Sequence, residues 1–129
     1  MEDKNYGMIE EIEKEIKQKY PLCDIEWFFD RNNFQNKKDE GIEIKRILNG
    51  LIFSICSWKN TIHFYIRIHK YKEWYILRIL IEEQMPSELI DLLNKQMINK
   101  RNIISIMNDD RCTVVKMILY CNYFNKAEQ

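Results

Sequence analysis

The sequence predicts an α+β fold: a mainly antiparallel twisted sheet with two helices, about residues 8–20 and 87–101, on one of its faces. Three observations carry that expectation. Apolar residues recur at helical spacing near both ends of the chain. The stretch TIHFYIRIHKYKEWYILRILIEE, residues 61–83, alternates apolar and polar side chains almost without fault. Asn49-Gly50, the strongest two-residue hairpin signal, lies between two apolar runs. The 129 residues suit one domain, 1–129, with no linker, repeat or low-complexity segment.

In the first helix Ile9, Ile12 and Ile16 share a stripe, Tyr20 lies one turn further, and Pro21 ends it. Glu10–Lys14, Glu13–Lys17 and Glu15–Lys19 are pairs four apart, each contributing about 0.2–0.5 kcal/mol. In CDIEWFFD, Ile25, Trp27 and Phe29 alternate with Asp24, Glu26 and Asp30, which predicts a strand. The polar run RNNFQNKKDEG then reads as a loop.

Residues 42–82 read as a four-stranded antiparallel meander. An Asn49-Gly50 turn pairs Leu48 with Leu51, Arg46 with Phe53 and Ile44 with Ile55. A Lys59-Asn60 turn pairs Ile55 with Phe64, Phe53 with Ile66 and Leu51 with Ile68. A loop from Lys70 to Glu73 pairs Ile68 with Tyr75, Ile66 with Leu77, Phe64 with Ile79 and Ile62 with Ile81. These registers put the apolar residues on one face, with Arg46 the main exception, and a one-residue slip would turn a strand over. Ser87 is the expected cap of the second helix, whose stripe is Leu89, Leu92, Leu93 and Met97. NIISIM is a short strand and Asn108-Asp109-Asp110 a turn. RCTVVKMILYCNYF reads as a last strand, with a helix capped by Asp110 as its rival.

Twenty basic residues balance twenty acidic ones, so no global charge draws the chain to nucleic acid or an anionic membrane. The charged N-terminus lacks the apolar core of a signal peptide, which predicts a cytoplasmic protein. Cys23, Cys56, Cys112 and Cys121 form no C-x-x-C pair and are expected to be free thiols, with no disulfide and no metal. Isoleucine, lysine and asparagine abound while alanine occurs once and valine twice, a bias toward AT-rich codons that suggests bacterial mobile DNA.

The other face of the meander carries Glu43, Lys45, Ile47, Ile52, Ser54, Cys56, Trp58, His63, Tyr65, Arg67, His69, Trp74, Ile76, Arg78, Leu80 and Glu82. Tyr65 is expected opposite Arg78, and His69 opposite Trp74. Aromatics and arginines among aliphatics are what protein-binding surfaces concentrate, so Tyr65, Arg67, His69, Trp74 and Arg78 are the candidate partner-binding residues. Cover by the C-terminal segment and an ordinary wet face are the competing readings. His63 and His69, six apart on a strand, stand about 20 Å apart and cannot serve one metal or one reacting atom. Glu43-Ile44-Lys45 resembles the acid-x-Lys of a nuclease superfamily, but Glu2-Asp3-Lys4 and Glu15-Ile16-Lys17 match the same pattern. Gly7, Gly41 and Gly50 each stand alone, so no Gly-rich phosphate loop exists.

By elimination the expectation is a non-catalytic protein that occludes its partner, of the immunity-protein or antitoxin type, neutralising a bacterial toxin or nuclease. It would have no catalytic residues and no cofactor, bind neither membrane nor nucleic acid, and be a monomer or weak dimer. The alternatives are a phage-type inhibitor of host defence, a small metal-dependent nuclease or hydrolase using His63 or Glu43, and a secretion chaperone.

Overall fold

The computed structural model describes residues 4–29, 38–72, 74–96 and 102–120. Helix α1 (Lys4–Lys19) is followed by strand β1 (Asp24–Phe29), helix α2 (Lys38–Trp58), strands β2 (His63–Tyr71) and β3 (Trp74–Ile81), helix α3 (Ser87–Gln96), and strands β4 (Asn102–Asp109) and β5 (Cys112–Tyr120). The five-stranded sheet has the order β1-β2-β3-β5-β4. The β1–β2 pair is parallel and the other pairs are antiparallel. The α+β class therefore holds, with a mixed sheet and with α2 as an additional helix on the apolar face.

The first two strands of the expected meander are α2. Its buried residues are Ile44, Ile47, Leu48, Leu51, Ile52, Ile55 and Cys56, a helical 3,1,3,1 spacing. A strand would have put Ile47, Ile52 and Cys56 on the outer face and Arg46 inside. The helix buries those three and leaves Arg46 exposed. Asn49 and Gly50 lie within the helix, and no glycine among the described residues takes a positive φ. The helix also answers a topological need. Parallel neighbours such as β1 and β2 cannot be joined by a tight hairpin and require a crossover, which α2 supplies.

Helix α1 packs on α2 through Ile9, Ile12 and Ile16, all buried. It ends where expected, with the Tyr20 N–H donating to Ile16 O at 2.7 Å just before Pro21. A polar clamp flanks the apolar contact. Lys45 Nζ lies 3.1 Å from Glu11 Oε1 and 2.9 Å from Glu15 Oε2, and Asn49 Nδ2 donates to Glu15 Oε1 at 2.7 Å. The Lys45 hydrogen bond holds the Glu15 carboxyl below its usual range, against partial desolvation, and the Glu15 bond raises the Lys45 ammonium in return. The β1 strand is tied to α1 by Trp27 Nε1, which donates to Glu13 Oε2 at 2.6 Å.

Strands β2 and β3 form a hairpin as expected, but slipped by two residues. Phe64 lies opposite Ile81, Ile66 opposite Ile79, Ile68 opposite Leu77 and Tyr71 opposite Trp74. The turn is two residues tighter than the loop from Lys70 to Glu73, and Lys72 takes φ 55° to make it. An even slip preserves the faces, so Phe64, Ile66, Ile68, Leu77 and Ile79 are buried together. Helix α3 buries Leu89 and Leu93, but Leu92 is 46% exposed. Its first turn is accepted by Pro86, whose carbonyl bonds the Leu89 and Ile90 N–H groups at 3.1 Å, so Ser87 is not the cap. Met97 and the expected last turn to residue 101 lie outside the described residues. Residues 112–120 are a strand, not the rival helix, and Asp110 turns the β4–β5 hairpin at φ 53°. Strand β5 inserts between β3 and β4.

The buried hydroxyl of Thr113 lies 2.7 Å from Glu83 O and 2.6 Å from Asn108 Oδ1, and accepts from the Met85 N–H at 3.0 Å. Asn108 Nδ2 donates to Met85 O at 3.1 Å. These bonds pin the segment between β3 and α3 to the β4–β5 hairpin. Cys23 and Cys56 are free, buried thiols with sulfurs 2.8 Å apart, and Cys23 Sγ donates to Asn60 O at 3.2 Å. Burial pushes the Cys56 thiol far up, so its nucleophilic thiolate is suppressed. Among the described residues no helix is long and apolar enough to cross a membrane.

Gly50→Ala is expected to stabilise the protein by about 0.5–1 kcal/mol, as in a helix interior, where a hairpin glycine would lose stability; denaturant titration reads the sign. Because the Glu15 carboxyl is depressed, its clamp contributes fully above the ordinary carboxylate pKa and is lost as pH falls through the lowered value. Glu15→Gln is therefore expected to remove stability at neutral pH and flatten the acid limb of the stability–pH curve. Cys23 and Cys56 are expected to resist alkylation in the native protein and to react once it is unfolded, as peptide mass mapping would record.

Candidate functional site: the open face of the sheet

Strand alternation turns one side of every strand toward the helices and leaves the other side free. The registers arrange the free side in rows across the strands. One row runs Glu26, Tyr65, Leu80, Val114, Met107. The next runs Phe28, Arg67, Arg78, Lys116, Ser105. Beyond it come His69, Ile76, Ile118 and Ile103, and then Tyr71 with Trp74. Phe28, Tyr71, Trp74, Ile103 and Met107 are exposed, and the C-terminal segment from residue 121, the competing cover for this face, lies outside the described residues.

Charge is segregated along the strands. Toward the start of β2, His63 Nε2 lies 3.4 Å from Glu26 Oε1, and the His63 and Tyr65 rings are 4.7 Å apart. Partial desolvation, then the Glu82 and Glu26 carboxylates, push the Tyr65 hydroxyl above its usual range. Lys17 hydrogen-bonds Asp24 at 3.0 Å and holds its carboxyl low. One row beyond Tyr65 the sign reverses. Arg67 lies directly opposite Arg78, and Arg78 opposite Lys116. Arg67, His69, Ile76 and Arg78 line a shallow cavity of about 200 Å³.

Of the five residues expected to bind a partner, Arg67, His69 and Arg78 come together at this cavity. Tyr65 lies one row away, opposite Leu80 rather than Arg78, and Trp74 lies opposite Tyr71 rather than His69. Lys116 and Phe28 join the face without having been singled out. Alternation in CTVVKMILY did put Lys116 on the side of Val114 and Ile118, but its neighbour across the strands depends on β5 inserting beside β3. Glu43 and Lys45 leave the face altogether. On α2, Glu43 pairs with Arg46 and Lys45 with Glu11 and Glu15, so the acid-x-Lys strand of a nuclease does not form.

No family model matches the chain, and no curated protein matches it. Solved structures do. The catalytic domain of histidine kinase ThkA superposes with a TM-score of 0.65 at 13% identity, over 89% of this chain and 90% of that one. The histidine kinase AdeS of Acinetobacter baumannii gives 0.57 at 10% identity, over 91% of this chain and 64% of that one. The histidine kinase domain of a blue-light activated kinase of Erythrobacter litoralis gives 0.61 at 6% identity, over 95% of this chain and 63% of that one.

At such identities the likeness is one of fold, and the fold is one shared with the catalytic domains of histidine kinases. It overturns the expectation of a non-enzymatic, occluding inhibitor of the immunity-protein or toxin-neutralising type, and with it the other classes reached by elimination. Elimination failed because a fold can be kept while sequence similarity falls to this level.

A kinase reaction uses a nucleotide and a divalent cation, held by phosphate-cradling backbone and oxygen ligands. Among the described residues no three His, Cys, Asp or Glu side chains converge on one point. The segment between β3 and α3, Glu82 to Pro86, contains no glycine, and its Met85 N–H is already engaged by Thr113 and Asn108. The described residues thus do not form such a site.

Proposed function

We propose that the chain is a signalling module built on the histidine-kinase catalytic-domain architecture, and that it governs phosphoryl transfer between proteins through contact with a protein partner. The observation that carries this reading is the superposition on the ThkA catalytic domain, which spans nearly all of both chains. A further solved structure supports the kind of partner. The histidine kinase ThkA in complex with the response regulator TrrA matches over 89% of this chain and 40% of that one, with a TM-score of 0.62 at 14% identity. A response regulator is accordingly the partner class proposed here. Within this reading the open sheet face is the contact surface, since it combines arginines with exposed aromatic residues.

The test is a phosphorylation assay with labelled ATP, using the histidine kinases and response regulators of the same genome. An equimolar amount of the purified chain is expected to change the phosphorylation of at least one regulator severalfold. If no kinase or regulator responds at any molar ratio, the reading is wrong.

A further inference from the structure

The row Arg67–Arg78–Lys116 is unusual in electrostatic terms. Directly opposed residues of antiparallel strands have Cα atoms about 4.5–5.5 Å apart, and like charges there are destabilising. Here three cations occupy one row across three neighbouring strands. None of the three forms an ion pair with a described residue, although ion pairs are plentiful on the helix side. The rest of the row is Phe28 and Ser105, and the next row holds His69, Ile76, Ile118 and Ile103. Among the described residues the carboxylates of this face, Asp24, Glu26, Glu82 and Asp109, lie toward the His63 end. Among the described residues the cluster has no counter-ion.

The geometry points to a binding site for a phosphate-class dianion between Arg67 and Arg78, with Lys116 and His69 beside it. Size and donor chemistry support the assignment. The cavity of about 200 Å³ lies below the roughly 300–1,000 Å³ typical of sites for larger organic ligands, which suits a small tetrahedral oxyanion. Two guanidinium groups present planar N–H forks that bond oxyanions bidentately, and the lysine adds a point charge. A monovalent carboxylate would be satisfied by one fork, whereas a dianion draws on the whole row. The half-buried Ile76 gives the site an apolar side that limits screening by water. The same chemistry is offered by free inorganic phosphate and by a phosphorylated side chain. Register, charge and the cavity carry this site independently of the signalling role.

Thermal unfolding and calorimetric titration of the full chain test it, with sodium phosphate against sodium chloride at matched ionic strength and pH. Phosphate is expected to raise the melting temperature saturably. The double variant Arg67→Gln/Arg78→Gln is expected to weaken phosphate binding roughly tenfold or more. A charge-matched control, Lys14→Gln/Lys95→Gln, is expected to keep it. In chloride the double variant is expected to melt no lower than the parent, because it removes a repulsion, which separates lost binding from lost folding. A phosphoserine peptide and its unphosphorylated twin form the second arm. Phosphate binding alone assigns a free anion, and selective binding of the phosphopeptide assigns a phosphorylated chain. If neither binds, or if the double variant binds phosphate as well as the parent, the site does not exist.

Discussion

The structure depends on one helix being apolar on a broad stripe. Helix α2 meets the sheet and α1 at once, and Leu48, Leu51, Ile52 and Ile55 lose essentially all contact with water in doing so. Fully burying an aliphatic side chain of this kind contributes about 1.5–3 kcal/mol, so this helix is a major source of the fold's stability. It also sets the topology. As the crossover between β1 and β2, it allows these strands to pair in parallel, and it covers the sheet along the way. Residues 42–58 paired as a hairpin would have left β1 without its parallel crossover and α1 without its packing partner.

Polar groups add specificity around that apolar contact. Lys45 and Asn49 project from successive turns of α2 onto Glu11 and Glu15 of α1, which selects one helix register over its neighbours. Their side chains remain partly exposed to solvent, so the clamp orients more than it stabilises. Thr113 and Asn108 do the corresponding work at the opposite side of the sheet. There the Thr113 hydroxyl is fully buried, and leaving such a group unpaired would cost about 1–3 kcal/mol. The segment between β3 and α3 is thereby held closed against the last hairpin.

The two faces of the sheet differ in kind. The helix side is sealed by aliphatic residues and a pair of buried thiols. The open side separates acidic residues at the start of β1 and just past the end of β3 from the cationic row two to four residues away along the strands. The opposed like charges of that row weaken the free protein rather than stabilise it. The likeness to kinase catalytic domains and this charged, partly aromatic face are the two features any account of the protein's action has to join.

Local pattern determined a good deal by itself. Pro21 and the stripe Ile9, Ile12, Ile16 specified α1, and period-two alternation specified β1, the β2–β3 hairpin and which side of each strand faces the core. Those signals are local, and a register error of two residues left the faces unchanged. The candidate face was legible for the same reason, through Arg67, His69 and Arg78. Residues 42–58 could not be decided by one cue, because Asn49-Gly50 favours a turn while Ile44, Ile47, Leu48, Leu51, Ile52 and Ile55 satisfy a helix. The misfit of Arg46 in the strand reading, and the aliphatics it would have exposed, carried the correct answer. Only the tertiary structure decided that α2 is the crossover, that β5 inserts beside β3, and that Lys116 therefore completes the cationic row. These are pairings between segments far apart in the chain, and their free energy comes from burying one apolar face against another, which no short window of sequence contains.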